Sequence, residues 1–117
     1  MLDTFGLQQR TLFMLESLLL QNAEQSAEYM KRANLCKSII ASLMQALTMD
    51  EVNMELVERG LRVIVLMSKV HELDASSQGE VNALILAIRR VVPQVLLTLS
   101  TEERSVLGMH NTKQLDN

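Results

Sequence analysis

The sequence predicts an all-α fold: an antiparallel bundle of four main helices, about residues 7–31, 33–47, 49–73 and 78–99, with a short C-terminal helix at 101–107. Three observations carry that expectation. Apolar residues recur at alternating spacings of three and four along most of the chain, the period of one helical face. Helix-start pairs of the form Ser/Thr-x-x-Glu occur at Thr48 and Glu51, Ser77 and Glu80, and Ser100 and Glu103; in such a capping box each side chain satisfies a backbone donor of the first turn. Finally, the segment 48–73 is apolar almost all round, with Leu61, Val63, Ile64, Val65, Leu66, Met67 and Val70 pointing to nearly every side and only Glu55, Glu58, Arg62 and Lys69 forming a polar strip. A helix of that kind is buried, so the rest of the chain has to surround it.

At 117 residues the chain fits a single domain, 1–117, large enough for one core without metal or disulfide support. Hydrophobic residues are 48% and charged residues 21%, a globular composition. Aromatics are only 3%, with no Trp, so Leu, Ile, Val, Ala and Met must build the core. The eight Met residues have two uses: flexible gap-filling in a core, or an adaptable surface for apolar partners. The net charge of −3 and pI of about 5.3 argue against a nucleic-acid partner, which calls for a basic face. The single cysteine, Cys36, cannot form an internal disulfide and suits a reducing compartment. The first ten residues show no basic segment followed by an apolar core. Arg89 and Arg90 interrupt the best apolar run short of the roughly 18 residues a membrane span needs. The expectation is a cytoplasmic protein without membrane insertion.

Residues 1–6 read as a lead-in, with Gly6 a flexible point. From Leu7 to Leu47 there is neither Pro nor Gly. Leu12, Leu15 and Leu19 form one apolar row, and Cys36, Ile40, Leu43 and Leu47 another. Continued between them, the same spacing falls on Asn22, Ser26, Tyr29 and Ala33, a polar and small seam. Either one helix of about 40 residues runs through, or a turn at 31–34 divides two helices. Length favours the turn. An unbroken helix would be about 60 Å long, against about 39 Å for 48–73 and about 33 Å for 78–99, and a third of its apolar face would lack a partner within one chain.

In the segment 48–73, Asp50, Glu51 and Glu55 are expected at the positive end of the helix dipole, with Arg62, Lys69 and His71 toward the other. DASSQG at 74–79 is a turn signal. The next helix carries Val81, Leu84, Ile85, Ile88, Val92 and Val95 on one face. Pro93 should kink it or end it near Val92, because proline lacks the N–H and crowds the preceding turn. After the Ser100–Glu103 start, Gly108 is a stop, and 108–117 reads as a flexible tail.

No catalytic or metal constellation stands out, and no cofactor is implied. His71 and His110 lack the i, i+3 or i, i+4 partners of a helical metal site. Cys36 lies on an apolar helical face, as a buried structural thiol does. Asp50, Glu51, Glu55 and Glu58 have helical spacing and read as first-turn charge with a solvated strip. Enzymatic function is therefore not expected. Binding through apolar surface is the remaining reading: Phe13, Met14, Leu18 and Leu20 accompany the Leu12–Leu15–Leu19 row, more grease than one bundle seam requires.

Two helices also carry family-like patterns. Ile39, Ile40, Leu43 and Leu47 fit I-I-x-x-L-x-x-x-L; Glu80, Val81, Leu84, Ile85, Ile88 and Arg89 fit E-V-x-x-L-L-x-x-L-R. With their order and spacing, they make residues 33–92 resemble the flagellin-specific secretion chaperones (FliS), small acidic helical bundles. Val92 stands where that family has Trp, and residues 61–67 lack its aromatics. The resemblance implies a chaperone that holds an apolar helical segment of a client, flagellin-like or another secreted subunit, before export. The candidate binding residues are Leu12, Leu15, Leu19, Ile40, Leu43 and Leu47, as one groove from the first two helices. The alternatives are a self-associating structural or regulatory protein, its apolar faces closed in a homodimer, and an acidic helical inhibitor of another protein.

Overall fold

The computed structural model describes residues 4–109, with side chains from residue 9 onward. They form α1 (Thr4–Gln21), α2 (Ala23–Arg32), α3 (Leu35–Ala46), α4 (Met54–Val70), α5 (Ala75–Val91), α6 (Gln94–Leu97) and α7 (Thr101–Val106), and no strand. The all-α expectation holds. The molecule measures 39 × 38 × 23 Å; its thin dimension is that of two helix layers, each about 10–12 Å across.

The long N-terminal segment breaks twice. At Asn34 the backbone turns left-handed, with φ 57° and ψ 37°, a conformation Asn tolerates better than most residues; this is the expected turn. The break at Asn22 (φ −148°, ψ 72°) was not anticipated. There the chain turns a corner, and Ser26 Oγ reaches back to donate to the Leu18 carbonyl at 3.0 Å. The corner resets the helical phase. In place of the polar seam extrapolated through Ser26 and Tyr29, α2 buries Ala27 and Met30 and leaves Tyr29 exposed.

As expected, α4 is the axis. It packs against α1, α2, α3, α6 and α7, and Val57, Leu61, Val63 and Ile64 are completely buried. Its polar strip does face solvent, tied by Arg62–Glu58 at 2.7 Å and, across to α7, Lys69–Glu102 at 3.2 Å. Its start differs from the expectation. Thr48 and Glu51 form no capping box: Thr48 Oγ1 donates to the Gln45 carbonyl at 2.7 Å, finishing α3. Asn53 caps α4 instead, its side chain accepting from Leu56 N at 3.1 Å. Asp50 and Glu51 therefore lie in the connection, and Glu55 alone is the first-turn acid.

Likewise Ser77 and Glu80 do not start α5. Asp74 does, its carboxylate accepting from Ser77 N at 2.7 Å. Asn is a stronger cap than Thr, and Thr48 is already spent on the end of α3; Asp74 caps as well as Ser would and stands three residues earlier in the chain. At Ser100 and Glu103 the full capping box is present. α5 ends at Val91, one residue before the expected Val92, and Pro93 opens the four-residue α6. Gly108 takes φ 88°. The expected tail does not begin there: Met109 is buried, and its N–H donates to the Arg104 carbonyl at 2.8 Å. Residues 110–117 of that tail lie outside the described residues.

Candidate helix-binding groove

Leu12, Leu15, Leu19, Ile40, Leu43 and Leu47 are all buried. The structure brings three of them to one opening. α1 and α3 both lean on α4, and between them lies an apolar groove of about 210 Å³. Leu12 and Leu15 of α1 and Ile39 of α3 line its floor, closed beneath by the fully buried Leu43 of α3 and Leu56 of α4, while Thr11, Leu35, Ser38 and Ser42 form its walls. Leu19, Ile40 and Leu47 belong to the core away from this opening. Sequence reasoning missed Ile39, Leu35 and the two serines. Leu35, Ser38, Ile39 and Ser42 do share one flank of α3 at spacings of three and four, but the spacing does not say that this flank is the one that borders α1.

The groove owes its depth to small residues. Ser38 and Ser42, one turn apart, keep the α3 wall low. At its base Leu43 packs directly over Gly60 of α4: a Cβ added there would stand 2.6 Å from Leu43 Cδ1. Only glycine lets α3 and α4 approach so closely with Leu43 in this position.

The groove also has an apolar bank. Met14 and Leu18, which share the flank of α1 with Thr11, are 54% and 43% exposed. On the opposite flank of α1, Phe13 is 57% and Leu20 68% exposed. The Arg59 guanidinium sits 5.1 Å from the centre of the Phe13 ring, held by Glu16 at 3.5 Å and Glu55 at 3.8 Å. The extra apolar residues of α1 thus face solvent. Of the methionines among the described residues, Met14, Met44, Met49 and Met54 are exposed, and Met30, Met67 and Met109 are buried.

A second cavity of about 120 Å³, of mixed lining, lies where α2, α3, α4 and α5 meet, bordered by Met30, Lys31, Cys36, Met67, His71 and Asp74 among others. Burial, with smaller contributions from Glu80 and Asp74, pushes the Cys36 thiol up to about 11. It is therefore protonated near neutral pH and a poor nucleophile. Hydrogen bonds from Ser77 hold the Asp74 carboxyl below its ordinary value. Among the described residues, no group of three or more His, Cys, Asp or Glu could hold a metal ion, and no helix is long and apolar enough to cross a membrane.

Compared with family models, curated proteins and solved structures, the chain matches none. The groove's own chemistry is what it offers: an apolar floor with a low hydroxyl rim, and beside it two long flexible side chains. It can accept apolar knobs from an approaching helix, and it has no group arranged for bond-making chemistry.

Proposed function

We propose that this chain is a small helix-binding protein that holds an apolar helical segment of a client, in the manner of a flagellar or type III secretion export chaperone. The observation that carries the reading is the α1–α3 groove with Met14 and Leu18 exposed along its bank. An amphipathic helix laid there would cover both side chains and seat apolar residues between α1 and α3 on the edges of Leu12, Leu15, Leu35 and Ile39, the helix-in-groove mode of recognition. Exposed methionines suit clients of varied shape. The resemblance of residues 33–92 to the flagellin-specific chaperones supplies the client class, a flagellin-like or other secreted subunit. Such a chaperone acts before export, so a cytoplasmic location comes with the reading, and neither catalysis nor a cofactor is needed.

Isothermal titration with the C-terminal helical segment of a flagellin from the same organism tests the reading. It predicts a 1:1 complex with a negative heat-capacity change, the mark of apolar burial. Absence of binding removes flagellin as the client.

A homodimer is the second reading, favoured by Phe13 and Leu20, which leave a further apolar flank of α1 open. Light scattering over a dilution series separates the two: a closed dimer persists on dilution, whereas the chaperone reading predicts a monomer with its groove free.

A further inference from the structure

A cavity of about 250 Å³ lies between the outer face of α5 and the chain leaving α7, lined by Asn82, Ile85, Leu86, Arg89, Gly108 and Met109. It shares no residue with the α1–α3 groove and does not rest on the function proposed for it. Arg89 is half-buried, and its Nε is shut off from solvent without a hydrogen-bond partner. No ion pair engages Arg89 among the described residues, although Arg59, Arg62 and Lys69 all have one. A buried N–H donor without an acceptor is an unfavourable arrangement, and the rest of this guanidinium is left to meet an anion. Asn82 adds a donor: its Oδ1 already accepts from Gln78 Nε2 at 3.0 Å, which leaves its Nδ2 hydrogens for a ligand. Between these two donors stands Leu86, 58% exposed, above the buried Ile85 and Met109.

We propose that this cavity binds a carboxylate-bearing, apolar segment of a partner protein, with Arg89 and Asn82 donating to the carboxylate and Leu86 covered by the neighbouring apolar side chain. Charge complementarity selects the partner's sign, because among the described residues the cavity is lined by donors and a cation and by no carboxylate. Helical geometry selects the spacing. Leu86 and Arg89 lie one turn apart, about 4.5 Å along the axis, which matches a partner helix with Leu and Glu at i and i+3. A guanidinium forms paired hydrogen bonds with a carboxylate, a geometry that an amide cannot replace.

Fluorescence anisotropy of the full chain tests this with a labelled 15-residue amphipathic peptide carrying Leu and Glu at i and i+3, and a twin with every Glu replaced by Gln. The Glu peptide should bind saturably, and the Gln twin about tenfold or more weaker, the scale of a charge-assisted hydrogen bond. Arg89→Gln should cause a similar loss, while Arg90→Gln, exposed and outside the cavity, should stay within about twofold, as loosely held surface charges do. Leu86→Ala alters an exposed side chain without threatening the fold, and it should weaken binding too; circular dichroism confirms the fold of each variant. No saturable binding to the unaltered chain, or equal binding by Arg89→Gln, overturns the proposal.

Discussion

Asn53 and Asp74 show how a single polar side chain moves a helix start. The sequence offers Thr48 with Glu51 and Ser77 with Glu80, and both pairs have the right spacing; Thr48 loses to Asn53, a stronger cap five residues on, and Ser77 to Asp74, an equal cap three residues earlier. Spacing alone could not decide, because a capping box is a local pattern and the connecting turn chooses among rivals. Asn53→Ala should destabilise the fold by about 1 kcal/mol, read from urea unfolding, while Glu51→Gln should change it by less than about 0.5 kcal/mol. Asp74 adds a pH dependence. Its carboxyl is held below the ordinary value of 3.8 by hydrogen bonds from Ser77, so folding favours the ionised form. That stabilisation is complete above the ordinary value and is lost as pH falls through the lowered one. Asp74→Asn keeps a capping oxygen but cannot titrate, so its urea midpoint should fall less steeply than that of the unaltered chain below pH 3.8.

Helices differ in how much of them was readable. α4 could be read as the buried axis because a helix apolar on nearly every side has no other stable place, and the structure buries Leu61, Val63, Ile64, Val65 and Met67 of it, with Leu66 and Val70 partly buried. The turn at Asn34 followed from length: nothing in a molecule 39 Å long can pair with a 60 Å rod. The corner at Asn22 was hidden, because it needs neither Gly nor Pro and is held by a hydrogen bond between residues eight apart, Ser26 and Leu18. The misplaced groove residues have another cause: Leu19, Ile40 and Leu47 lie in apolar rows, and such a row marks the core-facing side rather than the flank that borders an opening. The left-handed backbone at Asn34 predicts its own mutational signature. Asn34→Val should lose about 1–2 kcal/mol, because a β-branched residue tolerates positive φ poorly, whereas Asn34→Gly should be neutral or slightly stabilising. Thermal melts of the two variants check this.

Taken whole, the molecule is a two-layer helical body whose core is complete around α4 but open on the α1 side. The grease in excess of one seam was visible in the sequence, and it does reach the surface at Phe13, Met14, Leu18 and Leu20. Where the opening lies was not visible, because it depends on which flanks of α1 and α3 diverge above Leu56. The most direct test fills that opening without touching the core. Ser42→Trp puts an indole into the groove from its low wall, whereas replacing the fully buried Leu43 would endanger the fold. Calorimetry should show the unaltered chain binding a flagellin C-terminal segment 1:1 and Ser42→Trp binding it about tenfold or more weaker, with both chains melting alike. Equal binding by the two would contradict the groove as the client's seat.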